Sequence, residues 1–257
     1  ATMVRDGAAK LAAEQPSQLI ELKAVIEQVT LKGLIGKIED MLSKNLPEPK
    51  WQSFFKANPF VLGLAFPHPV ILIQDQARVG GTMLRGAGES IVDFLFAQRF
   101  TGSLALVEIK RPATNLIEGK TFRGDLHAPH KDLTSAMAQV LDQRFQLLTN
   151  FAAKAHDPAL KDTHVSAVHC IVIAGTAPAT IQEKRSLDLF RHSARDVVVV
   201  TFDELLDKLR EILRLMTAGA TERAAFHVDA DIADPFDRVL GEVDGGAGPN
   251  AEPANST

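Results

Sequence analysis

The residues able to do chemistry lie close together, in Ile91 to Pro112, which reads IVDFLFAQRFTGSLALVEIKRP. Asp93, Glu108 and Lys110 interrupt apolar runs, at positions where a core strand ordinarily holds Val or Leu. Taking such a charge out of water costs on the order of several kcal/mol unless it is paired or binds a metal. Two readings meet that demand. In one, Lys110 pairs with Asp93 or Glu108 and the cluster is structural. In the other, the two carboxylates hold a divalent cation and the lysine faces a reacting centre. A Glu-x-Lys tripeptide is too common to separate them.

The element that must position these groups is a hairpin. Two apolar runs, IVDFLFAQ and SLALVEIK, flank the turn signal Phe100-Thr101-Gly102-Ser103. A two-residue loop at Thr101-Gly102 predicts Asp93 opposite Lys110 and Leu95 opposite Glu108. Opposed residues share a face and side chains alternate along a strand. Asp93, Glu108 and Lys110 therefore point one way. Val92, Phe94, Phe96, Ala105, Val107 and Ile109 point the other, into an apolar layer.

Before the hairpin the chain reads as helical. LIELKAVIEQV places Leu19, Leu22, Val25, Ile26 and Val29 on one stripe, and LIGKIEDMLSK continues after a soft break near Gly33. EPKWQSFFKANPFVL is a further helix with Glu48 at its start, Pro49 in its first turn and Trp51, Phe54, Phe55 and Leu62 on its apolar face. Asn58-Pro59 kinks it or splits off its last turn. VILIQDQARV is a strand. The Gly-rich GGTMLRGAGES is a turn, with a short strand possible at Thr82 to Leu84. It lacks the Gly-Lys-Ser/Thr of a phosphate-binding loop.

After the hairpin, Ala113 to Lys131 reads as a polar connection. His127 and His130 sit within it without the partners a zinc site needs. A long helix follows from Asp132, with Met137, Val140, Leu141, Phe145, Leu148 and Ala152 as its apolar stripe and Gln139 and Gln143 beside it. Then come a strand (VSAVHCIVIAG), a helix, a strand (DVVVVTF) and the amphipathic helix DELLDKLREILRLMTA. The order predicts an α/β domain with a mixed central sheet flanked by helices. The expected divisions are a helical segment at 1–45, the main domain at 46–217 and an acidic, disordered tail at 218–257.

Composition narrows the function classes. With 257 residues, 46% of them hydrophobic, the chain can bury one core plus appendages. A net charge of −4 rules out a broad basic surface, so nucleic-acid binding would rest on local cations. The single cysteine, Cys170, lies in an apolar run and reads as a buried thiol, with no disulfide framework. No run approaches membrane length and no signal-peptide pattern opens the chain, so the expectation is a cytoplasmic protein without a membrane partner. Tyrosine is absent.

EPKWQSFFKANPFVL, IVDFLFAQRFTGSLALVEIKRPATNL, SAMAQVLDQ and VVVVTFDELLDKL resemble the Shedu family of bacterial antiphage nucleases, and the arrangement is similar to the PD-(D/E)xK nuclease superfamily. The likeness runs over roughly Glu48 to Met216 and rests on several spaced motifs. It implies a restriction-endonuclease-like core preceded by N-terminal helices, and a metal-dependent DNA endonuclease. It implies Mg²⁺ or Mn²⁺ held by Asp93, Glu108 and the backbone carbonyl of Ile109, with no small-molecule cofactor. Lys110 would orient the attacking water or stabilise the phosphate, Glu48 would complete the site from its helix, directly or through a water, and Gln139 would buttress Lys110 or contact the backbone. Arg111, Lys120, Arg123 and Lys131 are the candidates for DNA phosphates. Assembly into a homo-oligomer is also implied. Where many relatives carry tyrosine four residues after the helix glutamine, this chain has Gln143, and an amide offers no stacking surface. The alternative from another class is a non-catalytic module that binds DNA ends or a phage protein on the same fold.

Overall fold

The computed structural model describes residues 16–80 and 90–228. The chain divides into two compact units, Ala1–Leu213 and Arg214–Thr257. The Ala-rich start, the possible strand at Thr82 to Leu84 and the end of the tail fall outside the described residues.

In chain order the elements are α1 (Pro16–Leu42), α2 (Glu48–Ala57), α3 (Pro59–Gly63), β1 (Val70–Arg78), β2 (Ile91–Gln98), β3 (Ser103–Ile109), β4 (Ile117–Arg123), β5 (Leu126–Pro129), α4 (Lys131–Lys154), β6 (His164–Ile173), α5 (Ile181–Ser193), β7 (Val197–Val200) and α6 (Phe202–Val228). What is described of the second unit is the run of α6 from Arg214 to Val228. Among the described residues no helix is long and apolar enough to cross a membrane.

Five strands form one sheet in the order β1-β2-β3-β6-β7. β1, β2 and β3 run antiparallel, while β3, β6 and β7 run parallel, so the sheet is mixed as the element order predicts. β3 is the central strand, and all seven of its residues are buried. One face packs Phe94, Phe96, Ala105, Val107 and Ile109 against α1, α2, α3 and the start of α6. The other packs Leu95, Ala97, Leu104 and Leu106 against α4 and α5. Helices thus cover both faces, as parallel strands require. Cys170 is buried in the second layer, and burial pushes its thiol up to about 11.

The hairpin differs from its predicted register. Phe94 pairs with Val107 and Ala97 with Leu104, which continues to Asp93 opposite Glu108 rather than Lys110. The loop between β2 and β3 has four residues, Arg99 to Gly102. A two-residue loop would put Thr101 at positive φ, which a β-branched residue resists. The longer loop confines positive φ to Gly102, at +74°. Because the shift is two residues, the face assignment survives for most side chains. Val92 and Asp93 are the exceptions. Val92 packs with Ala77, Leu95 and Ala97, and Asp93 turns into the gap where β2 leaves the β3 ladder beyond Phe94, within reach of Gln52 on α2.

Three further expectations change. α1 runs unbroken through Gly33, since Leu31, Leu34, Ile35, Ile38 and Met41 around it pack on the core and offset a glycine's cost of about 1 kcal/mol. The apolar stripe of α4 is rotated: Leu133, Ala136, Val140 and Leu147 are buried with Gln143, whereas Phe145, Leu148 and Ala152 are exposed. The stretch read as a polar connection holds β4 and β5, a separate two-stranded ribbon. Its two histidines have structural roles. The His127 ring bonds the Glu118 carbonyl, and His130 caps α4 by accepting the Asp132 amide.

Gly102 ties the hairpin to the turn before β6. Its N–H donates to the Gln98 carbonyl (2.9 Å) and its carbonyl accepts from His164 N–H (3.0 Å). A Cβ placed there would meet the Asp162 carbonyl at 2.3 Å. Gly102→Ala combines that collision with an unfavourable φ and should lose about 2–4 kcal/mol of stability. Urea unfolding would show this as a lower midpoint at unchanged slope; an unchanged midpoint would refute it.

Candidate active site

The acidic pair lies where β2 and β3 part. In a strand, N–H and C=O of one residue leave by the same edge, alternating along the chain. Lys110 N–H points to β6 and donates to the Ile173 carbonyl (2.8 Å), so Ile109 points to β2. Its backbone partner there would be Val92. Instead, Ile109 N–H donates to Asp93 Oδ2 at 2.8 Å. The Asp93 side chain stands in for a ladder acceptor, and the Ile109 carbonyl faces the same opening.

Two amides complete the hold on Asp93. Gln52 Nε2 donates to Oδ1 at 2.7 Å from α2, and Gln76 Nε2 donates to Oδ1 at 2.9 Å from β1. Gln76 has φ +49°, a left-handed conformation inside a strand, and that kink aims its amide at the carboxylate. α2 itself is pinned by aromatic packing. Trp51, Phe54 and Phe55 are buried, and Trp51 meets Phe202 edge-on with ring centres 4.6 Å apart. Glu48 opens this helix one turn before Gln52, where an acid suits the helix dipole, and the two side chains lie 3.4 Å apart.

Glu108 is 2% exposed. Its Oε1 accepts from Lys110 Nζ at 2.6 Å, and its Oε2 accepts from Gln143 Nε2 at 3.0 Å. Gln143 Nε2 also donates to the Ile91 carbonyl at 2.8 Å, so one amide links α4, β2 and β3. Lys110 Nζ is held on its other side by Gln139 Oε1 at 3.0 Å. The lysine is therefore aimed by two acceptors rather than free to swing.

Burial dominates the electrostatics. It raises the Asp93 carboxyl to about 7, with the charge of Glu108 adding to the rise and the Ile109 and Gln76 donors opposing it. Burial also raises Glu48, and the Lys110 and Arg111 charges partly counter this. For Lys110 burial acts downward, yet the hydrogen bond and charge of Glu108 outweigh it and the ammonium is held above its ordinary range. Three carboxyls thus gather around Lys110, with Arg111 acting on Glu48 alone. The excess of acid is what a divalent cation would offset.

Among the described residues no three His, Cys, Asp or Glu side chains come close enough to hold a metal ion by themselves. The donor set nevertheless fits a hard cation that takes few protein ligands and keeps its waters. Asp93 Oδ1 already has two donors, but Asp93 Oδ2 and both Glu108 oxygens have only one each, leaving a lone pair on each. The Ile109 carbonyl adds a fourth oxygen, from a third residue.

Of the residues singled out in the sequence, the fold brings Glu48, Asp93, Glu108, Ile109, Lys110 and Gln139 together. Arg111 is exposed but close enough for its charge to act on Glu48. Lys120 and Arg123 lie exposed on β4, and Lys131 starts α4. These three make no hydrogen bond to the cluster. Gln52, Gln76 and Gln143 are the residues that sequence reasoning gave no role. For Gln52 a signal existed, its place one turn after Glu48. Gln76 gave none, since its aim depends on strand pairing and a positive φ. In the sequence Gln143 marked only the place where many relatives carry a stacking phenol. It is 2% exposed, presents no such surface, and works inward on Glu108.

A family model described as "Shedu protein SduA, C-terminal" matches residues 45–206. The chain is also 33% identical over 204 residues to the Shedu protein SduA of Bacillus cereus (strain B4264), which is 77% of this chain and 54% of that protein. The chain therefore spans about half the length of this curated relative.

The raised Asp93 group sets a pH dependence. Ionising at about 7 in the fold and near 3.8 when unfolded, it is protonated in the fold and charged in the unfolded chain between those values. Its contribution to stability is full below about pH 4 and is lost as pH rises towards 7, on the order of a few kcal/mol in total. In EDTA, Tm should fall with pH across this window more steeply for wild type than for Asp93→Asn. Equal slopes for the two proteins would rule the shift out.

Proposed function

The chain belongs to the Shedu family, and we propose that it is a metal-dependent DNA endonuclease of the PD-(D/E)xK type, acting in bacterial antiphage defence on a restriction-endonuclease-like fold. The observation that carries this reading is the buried Asp93–Glu108–Lys110 cluster at the mouth of the hairpin, with Lys110 fixed between Glu108 and Gln139. A structural ion pair would not need a second carboxyl, Asp93, buried beside it at the expense of its own ionisation.

Asp93, Glu108 and the Ile109 carbonyl would hold Mg²⁺ or Mn²⁺. Bound there, the ion would lower the pKa of its water and neutralise charge on the phosphate. The chain's own residues account for the rest. Lys110 offers N–H donors to the attacking water or to a non-bridging phosphate oxygen as negative charge grows there. Gln139 keeps that ammonium from collapsing wholly onto Glu108. Gln52 and Gln76 fix the Asp93 carboxylate without neutralising it, and Gln143 does the same for Glu108. Glu48, half-buried at the start of α2, supplies a third acid to orient a water. Arg111, Lys120, Arg123 and Lys131 would meet DNA phosphates, which position the duplex without reading its sequence.

A second reading, a non-catalytic DNA-end or phage-protein binding module, draws on one observation: no three metal-type side chains converge among the described residues. Plasmid and linear DNA incubated with Mg²⁺ and then Mn²⁺ separate the two. Wild type should nick or cut, while Lys110→Ala should be slower by at least a hundredfold with its folded circular-dichroism spectrum retained. DNA binding without cleavage under either metal would favour the binding module.

Self-association is part of the proposal. Leu22, Val25, Ile26 and Val29 lie exposed at helical spacing on the first half of α1, while its second half packs on the core. An apolar stripe of this kind suits a helix from a second copy. Light scattering at micromolar concentration should give a multiple of 27.9 kDa, reduced by Val25→Asp with Val29→Asp. A monomeric wild type would dispose of the idea.

A further inference from the structure

We propose that the β4–β5 ribbon is a groove-inserting element for the nucleic acid, with Phe122 wedged at a base step and Lys120 and Arg123 on the flanking phosphates. This rests on the nuclease reading above and adds to it a contact mode and a residue. Its basis is a juxtaposition: an exposed aromatic flanked in sequence by two exposed cations, on a fastened finger that begins seven residues after Lys110.

The ribbon stands apart from the main sheet. Every residue from Gly119 to Asp125 is exposed, and Phe122 is 67% exposed. Leaving that ring in water forgoes most of the stabilisation a buried phenylalanine supplies. Single exposed apolar residues are common and mean little alone. Here the ring is held out rather than merely left out. A free two-stranded hairpin is marginal in water, but this one is fastened at its base. His130 N–H donates to the Leu116 carbonyl (2.9 Å), the His127 ring bonds the Glu118 carbonyl (2.8 Å), and His127 N–H donates to Ser186 Oγ on α5 (3.1 Å). Leu116 is buried in the core beneath it. Gly124, at φ +55°, forms the tip with Asp125, where Arg123 pairs with Leu126.

Position ties the ribbon to the candidate centre. It begins seven residues after Lys110, and its far end leads into α4 at Lys131. From Lys131 to Gln139 is about 12 Å of helix at 1.5 Å per residue. Chemistry then selects the partner. A two-stranded ribbon fits the major groove, apolar wedges open base steps, and paired cations suit phosphates spaced along a strand.

The test uses full-length protein in EDTA and duplexes carrying 2-aminopurine at successive positions, with binding measured across a salt series. Wild type should raise 2-aminopurine fluorescence at one or two adjacent positions, where a step is unstacked. Phe122→Ala should abolish that rise and weaken binding about tenfold, with the salt slope unchanged. Lys120→Gln with Arg123→Gln should instead flatten the slope by about two phosphate contacts' worth, roughly 1.8, and keep the rise at saturating protein. Binding by wild type without any fluorescence change would overturn the proposal, as would a Phe122→Ala protein that matches wild type in both readouts. A Phe122→Ala protein whose only change is a smaller mass in light scattering would assign the ring to a contact between copies, also overturning it. No binding by wild type to any duplex would remove the nuclease reading itself, an outcome distinct from the others.

Discussion

The hydrogen bond from the Ile109 amide to Asp93 Oδ2 is the contact on which the candidate site depends. A backbone donor on the central strand must be satisfied, and here a side chain satisfies it. Three things follow from that one substitution. β2 and β3 are free to part beyond Phe94. The Asp93 carboxylate is fixed in position without a cation. A backbone carbonyl, that of Ile109, is left at the mouth of the gap. The site is thus a controlled interruption of a sheet, placed where the antiparallel and parallel halves meet.

Glutamines carry the interruption. Gln52 and Gln76 hold Asp93, Gln143 holds Glu108, and Gln139 holds Lys110. A neutral amide fixes a carboxylate without cancelling its charge, whereas an arginine in any of these places would. The result is a pair of ordered acids with negative charge to spare, and one of them is pushed to about 7 by burial. This state would suit the divalent cation proposed for the site, which would compete with protons for the same oxygens.

The scaffold around the gap is over-determined. Helices approach it from both faces of the sheet, α2 through its aromatic contacts and α4 through Gln139 and Gln143. Lys154, near the far end of α4, is 1% exposed and donates to the Arg78 and Gly80 carbonyls, so the same helix braces the end of β1 beyond Gln76. The family match runs from residue 45 to 206, so it covers the five-stranded sheet, α2, α3, α4 and α5, and leaves out the whole of α1 and all but the start of α6. What lies outside the match is the part with the long exposed apolar stripe.

The sequence by itself determined the element types, the mixed sheet and the residues of the acidic cluster, because charges in apolar runs and local periodicity are readable without neighbours. Asp93, Glu108 and Lys110 were legible for that reason, as were the aromatic face of α2 and the burial of Cys170, whereas Glu48 entered only through the family resemblance. The tertiary structure decided what depends on partners. The register of the hairpin turned on the tolerance of Thr101 for positive φ against that of Gly102. The buried face of α4 turned on which stripe the sheet accepts, since both stripes are apolar enough and only one can face inward. The ribbon at β4 and β5 was invisible because its sequence is polar and its order comes from bonds to α5 and to the Leu116 carbonyl. Gln52, Gln76 and Gln143 became part of the site only when distant segments met, for an uncharged amide has no meaning in sequence until the carboxylate it faces is known.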